Sequence, residues 1–172
     1  MASTQEAIVM NDMEKDVANK QQQNSAAVSM TNSTRANVKF SKSNNWFGQV
    51  TGSYPATIAS SALGKFTHNA DTKNGSKGAV IYLGTNVQGF NCGWLLAWSA
   101  PKAPTPNNPN RVYVTCGAAE NFKNVNWNQI LTKLNTSGDI VNYLDPVTKT
   151  AIHANIQPGT NSASVGASFG AV

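Results

Sequence analysis

From Ser25 onward, apolar and polar residues alternate with a period of two in short runs, which predicts strands. Residues 26–30 and 38–40 read as two of them, separated by the polar turn Thr31-Asn32-Ser33-Thr34. Residues 65–68, 78–84, 93–99, 111–116, 140–144, 150–156 and 162–169 continue the series, and Asn74-Gly75 carries a hairpin-turn signal. In 93–99, Trp94, Leu96 and Trp98 point one way and Leu95 and Ala97 the other, so both faces are apolar and the strand is expected at the centre of a sheet. The helical period occurs once in this region. Trp127, Ile130, Leu131 and Leu134 make one stripe, which predicts a short helix over 126–134 capped by Asn126 or Asn124. Residues 101–110 hold four of the seven prolines and predict a long irregular connection at a sheet rim. Residues 44–48 and 52–55 read as loops that carry Trp46, Phe47 and Tyr54. Many short strands with one helix predict a mainly β fold, a β-sandwich or barrel rather than a parallel α/β sheet, and the fold expected over residues 25–172 is an antiparallel β-sandwich with one short α-helix. Residues 1–24 stand apart. Met10, Met13 and Val17 form a weak amphipathic stripe among acids, and 21–24 reads as a linker, so this segment is expected to be flexible or loosely docked.

Composition narrows the class. Only 12% of the 172 residues are charged, and the polar share is filled by 22 Asn, which excludes a coiled coil or helix bundle. No apolar run approaches the ~18 residues of a membrane-spanning helix. The net charge of +5 is unevenly placed. Residues 1–20 sum to −2, whereas the rest carries eleven cations against Asp71, Glu120, Asp139 and Asp145, a net of +7. A basic body is drawn to phosphate-bearing surfaces. The lysines are scattered singly, without a zinc signature or an aromatic-basic sheet motif, so sequence-specific nucleic-acid recognition is not expected. The chain opens without a basic region followed by an apolar one, which predicts a cytoplasmic protein whose Cys92 and Cys116 are free thiols. No metal-ligand spacing, phosphate loop, dinucleotide fingerprint or nucleophile elbow occurs, so neither a cofactor nor a metal is expected. With His68 and His153 the only histidines, a thiol–imidazole dyad has two candidate pairings, Cys92–His68 and Cys116–His153. Neither carries a catalytic spacing, and the chain is not expected to be an enzyme.

A series of ordered words carries a more specific signal. Ser29-Met-Thr-Asn-Ser-Thr34, Asn45-Trp46-Phe47-Gly48, Tyr54-Pro55, Gly64-Lys-Phe-Thr-His68, Gly78-Ala-Val-Ile-Tyr82 and Cys92-Gly-Trp-Leu-Leu-Ala-Trp-Ser-Ala-Pro101 follow one another in the chain. Over residues 25–134 this series resembles the plant jasmonate-induced proteins, small stress proteins of cereals and of the amaranth order. Cys92, Trp94, Leu95, Trp98 and Pro101 match the family word Cys-x-Trp-hydrophobic-x-x-Trp-x-x-Pro in register. The chain departs from the pattern in a shorter N-terminal region, in the proline-rich insert after Pro101, and in Phe47 where the family has His. The family is distantly similar to fungal lipid-binding proteins with an actinoporin-like β-sandwich. That likeness implies loops whose aromatics recognise a lipid headgroup or a glycan.

Two readings of function follow. In the first, the protein is a non-enzymatic, stress- or defence-related binding module. Trp46, Phe47 and Tyr54 meet the ligand, and Lys42, Lys102 and Arg111 add attraction to an anionic headgroup. The partner is then a membrane lipid headgroup or a glycan, engaged peripherally. In the second, the protein is stress-protective or storage-like and has no specific ligand, and the aromatics only close the core.

Overall fold

A computed structural model describes residues 22–171 and shows a two-layer β-sandwich. Its strands are β1 (Gln23–Asn32), β2 (Val38–Phe47), β3 (Gln49–Val50), β4 (Thr57–Ile58), β5 (Leu63–Asn69), β6 (Ser76–Thr85), β7 (Asn91–Ala100), β8 (Arg111–Ala118), β9 (Ile140–Leu144), β10 (Thr150–Gln157) and β11 (Asn161–Ala171). One sheet runs in the order β3-β5-β1-β11-β10-β9, the other β4-β2-β6-β7-β8. A 3-10 turn, Ala119–Phe122, and one helix, α1 (Trp127–Asn135), follow β8. The Asn126 side chain accepts from the Gln129 amide at 3.1 Å and caps α1 as expected.

The two faces of β7 have separate partners. Trp94, Leu96 and Trp98 point between the sheets and pack with Met30, Tyr82, Val165 and Phe169. Leu95 and Ala97 point outward, where Phe122 of the 3-10 turn and Leu134 of α1 cover them together with Ala79 and Ile81. The double-sided apolar pattern of β7 is thus satisfied by a third, partial layer over one sheet.

Four sequence expectations need correction. The sandwich is not wholly antiparallel, because β1 pairs β11 in parallel from Ala26↔Ala163 to Asn32↔Phe169. Alternation fixes which face a residue takes but carries no sign of strand direction. Asn74-Gly75 does not close a hairpin, because β5 and β6 lie in different sheets and the turn is a crossover. Residues 44–47 are strand rather than loop. β2 runs on to Phe47 through irregularities at Phe40/Lys42 and Asn45/Phe47, which break the period-two signal. Gln23 and Asn24 belong to β1 rather than to a linker, and the Gln23 amide is buried, donating to Pro101 O at 2.7 Å and Asn110 Oδ1 at 2.8 Å. The remainder of the expected N-terminal segment, residues 1–21, lies outside the described residues.

Candidate functional site

The six residues expected to bind ligand are dispersed, and three of them are committed to the scaffold. Trp46 is half-buried, edge-on to Trp127 at 6.3 Å, and anchors the start of α1 on β2. Lys42 donates from Nζ to Phe122 O at 2.9 Å and also to Lys123 O, closing the end of the 3-10 turn. Tyr54 stacks on Phe40 at 5.2 Å and meets Phe66 edge-on at 4.8 Å, while the Tyr82 hydroxyl pins its loop by donating to Pro55 O at 2.7 Å. The Tyr54 hydroxyl is buried and makes no hydrogen bond of good geometry although Ser43 lies close by, and burial pushes its pKa up. An orphaned buried hydroxyl costs about 1 kcal/mol or more. Tyr54→Phe is therefore expected to leave stability unchanged or raise it by about 1 kcal/mol, as read from urea unfolding, whereas loss of a ligand contact would appear only in binding.

Phe47 and Lys102 do come together, in an open cleft of about 650 Å³ at one end of the sandwich. Phe47 lies opposite Lys77 on β6, with the ammonium 5.7 Å from the ring centroid. Lys73 and Asn74 of the β5–β6 crossover line one wall, and Pro101 to Ala103 of the proline-rich segment line the other. Arg111 donates to Ser137 O at 2.6 Å, outside the lining but close enough to Lys77 to help depress its pKa, after burial. Lys73 and Lys77 were not among the expected residues. Only their place across the crossover and the β2–β6 pairing brings them to Phe47 and Lys102.

The far end of the sandwich carries the other unusual surface. β6 spans ten residues between the two ends, about 30 Å at ~3.3 Å per residue. There the β6–β7 turn exposes Val87 and Phe90, and the β9–β10 turn exposes Val147, by 54%, 61% and 83%. The backbone beneath them is held firmly. Asn86 is buried, its Oδ1 accepts from the amides of Gln88 (3.0 Å) and Phe90 (2.9 Å), and its Nδ2 donates to Thr148 O (2.9 Å), which ties the two turns together. Asp145 Oδ2 accepts from the Thr148 amide (2.8 Å) and hydroxyl (2.6 Å), which closes the second turn. Lys123 and Glu120 share a hollow with Phe90 and Val147, and Lys39 lines the next hollow, which adjoins it at Asn91 and Ala119. Lys149 leaves the second turn with φ of 61°. A sequence signal for this surface existed in Gln88-Gly89-Phe90, a glycine turn ending in an aromatic, but the pattern alone does not show which turns share an end.

Neither thiol–imidazole pairing forms. His68 is buried at the cleft end, bonded to Ser76 Oγ at 2.7 Å and Asn45 Oδ1 at 2.9 Å, whereas Cys92 lies at the other end of β7 against Phe90 O. His153 is exposed on β10, bonded to Asn142, and Cys116 faces the core. Both thiols are free and buried, and burial pushes their pKa values up, away from the reactive thiolate. Among the described residues no group of three or more His, Cys, Asp or Glu is placed to hold a metal, and no helix is long and apolar enough to cross a membrane.

Comparison with known proteins agrees with the sequence words and the architecture. A jasmonate-induced protein homolog of Atriplex canescens is 46% identical over 153 residues, spanning 88% of this chain and 83% of the relative. The structure of the lipid-binding protein Nakanori superposes with a TM-score of 0.70 at 16% identity, covering 98% of this chain and 80% of that one. A mutated form of the Xerocomus chrysenteron lectin XCL gives a TM-score of 0.48 at 8% identity, over 86% of this chain and 99% of the lectin. The family model of the Nakanori-like proteins matches residues 1–164. With a matching family model over nearly its whole length and a jasmonate-induced homolog at 46% identity, the chain belongs to the Nakanori-like family of β-sandwich proteins.

Proposed function

We propose that the protein binds lipid bilayers peripherally and without catalysis, seating the turn apexes that carry Val87, Phe90 and Val147 in the membrane interface. The exposure of those three side chains on turns whose backbone is tied down through Asn86 and Asp145 carries this reading. Such turns would fold as well with polar residues at their tips, so the apolar apexes contribute nothing to the fold. They protrude, so they suit a fluid interface better than a flat protein partner. Burying the exposed part of each ring or branch in a bilayer is worth on the order of 1 kcal/mol. The rim lysines Lys39, Lys123 and Lys149 outnumber the acids Glu120 and Asp145 and add about 1 kcal/mol each near an anionic surface. Nakanori, which shares the fold, is described as a lipid-binding protein, and the jasmonate-induced homolog supports a stress-related setting. The expectation of loop aromatics is kept, but the ring moves from Trp46 and Tyr54 to Phe90.

Liposome co-sedimentation tests this. Wild-type protein is expected to bind phosphatidylcholine vesicles weakly and phosphatidylserine-containing vesicles more tightly, with salt reducing the difference. Phe90→Ser and Val147→Ser should each weaken binding about fivefold while leaving thermal unfolding unchanged, because both side chains are exposed. Absence of binding to either vesicle, or unchanged binding by both variants, overturns the membrane reading. A glycan bound equally well by wild type and Phe90→Ser on an array would move recognition to a sugar. Silence in both assays leaves the protective role in its place.

A further inference from the structure

We propose that the cleft at the opposite end, between Phe47, Lys73, Lys77 and Lys102, is a binding site for a small soluble anion bearing two or more phosphate groups. The inference is independent of the membrane reading, because the cleft lies at the other end of β6, about 30 Å from the turn apexes.

Charge distribution is the first reason. Three lysines line one cleft, and among the described residues none of its lining is acidic. The nearest acid in sequence, Asp71, stays ionised within its own turn and offsets at most one of the three lysine charges. Its carboxylate accepts from the amides of Asn74, Lys73 (3.0 Å) and Gly75 (3.2 Å) and from Asn74 Nδ2 (3.1 Å), bonds that hold its pKa below the ordinary carboxylate range. Like charges gathered in a concave surface repel one another and focus a positive potential that an anion relieves.

The second reason is Lys77. Its ammonium is half-buried, and among the described residues its bonded acceptor is the neutral Asn135 Oδ1 at 2.7 Å. Burial, with Arg111 nearby, pushes its pKa down. Among the described residues no carboxylate pairs with it, and holding a half-buried cation without one costs stability.

The third is a fixed shape. The Gln23 amide clamps the proline-rich wall through Pro101 O and Asn110, and the Gln23 N–H donates to Lys102 O at 2.7 Å. Gly75, at φ of 101°, lets the crossover touch that wall, since a Cβ there would lie 2.2 Å from Ala100 O. The cleft volume of about 650 Å³ falls in the range of small-molecule sites. The Phe47 ring, under the Lys77 ammonium, offers a flat face to the organic part of the ligand.

Isothermal titration of the full chain with inositol hexakisphosphate, with pyrophosphate and with uncharged inositol tests the site. Both phosphates are expected to bind and inositol is not. Lys73→Gln and Lys102→Gln should each weaken binding about tenfold, the worth of one charge-assisted hydrogen bond. Lys65→Gln, on the exposed side of β5 and outside the cleft, should change nothing. In the wild-type chain, inositol hexakisphosphate should protect Lys73 and Lys102, but not Lys65, from acetylation read by mass spectrometry. Failure of both phosphates to bind overturns the proposal. So does an equal loss in Lys65→Gln, or equal protection of Lys65, since either would mean diffuse attraction to a basic surface.

Discussion

Trp98→Ala is expected to destabilise the protein by about 3 to 5 kcal/mol, the cost of deleting a buried indole whose neighbours cannot close the void. Trp98 is fully buried in the inter-sheet core, toward its cleft end. Its ring meets Phe66 at 5.5 Å and His68 edge-on at 5.0 Å. It packs so closely over Gly78, its register partner on β6, that a Cβ there would lie 2.8 Å from the indole edge. Its Nε1–H donates to Ser76 Oγ at 3.0 Å, so truncation also strips a partner from a buried hydroxyl. In a chain of this size the thermal midpoint should fall by about 10 °C or more. Trp98→Phe, which keeps most of the apolar volume and loses the N–H, should cost clearly less. Equal losses in the two variants, measured by denaturant unfolding, would show that the hydrogen bond rather than the packing dominates.

The second large effect is a loss of stability in mild acid. Burial lowers the pKa of His68 from an ordinary 6.5 to about 4. The network around the ring explains why the neutral form is held. Asn45 Oδ1 can only accept, so Nε2 carries the proton, and Ser76 Oγ, which already accepts from Trp98, turns its own hydrogen toward Nδ1. Protonation at Nδ1 would set two donors against each other in a buried site. Because the folded-state pKa lies below the unfolded one, the unfolded chain takes up the proton first. The contribution of His68 is therefore fully present above about pH 7, is lost as pH falls from 6.5 toward 4, and changes no further below that. A displacement of this size corresponds to about 3 kcal/mol. Urea midpoints measured between about pH 7.5 and 4 should fall accordingly in wild type, and His68→Gln should flatten the profile over the same window. A wild-type profile without that slope, or an unchanged slope in the variant, would place the acid sensitivity elsewhere.

The scaffold residues were legible in the sequence to different degrees. The two-sided apolar pattern of β7 correctly placed it between two strands, and the stripe Trp127, Ile130, Leu131 and Leu134 correctly gave α1 and its Asn126 cap. The family words were equally informative, since they rest on a run of residues in fixed order, and a jasmonate-induced homolog matches at 46% identity. The end of β2 reads as a loop because the polar residues of 41–45 sit on an irregular stretch paired only to β6 and half open to solvent. Polar composition there reports exposure and not the absence of a strand.

The sequence alone determined the period of each element, and therefore the mainly β class, the double-faced central strand and the capped helix α1, because these depend on residues a few positions apart. Three matters were decided only by tertiary structure: the parallel pairing of β1 with β11, the crossover at Asn74-Gly75, and the gathering of side chains at the two ends. Phe47, Lys73, Lys77 and Lys102 meet in one cleft although they span 56 positions of the chain, and Val87, Phe90 and Val147 meet at the other end through Asn86 and Thr148. Local periodicity says which face a side chain takes. Only the strand order in each sheet, fixed by long-range burial of the shared core, says which turns end side by side.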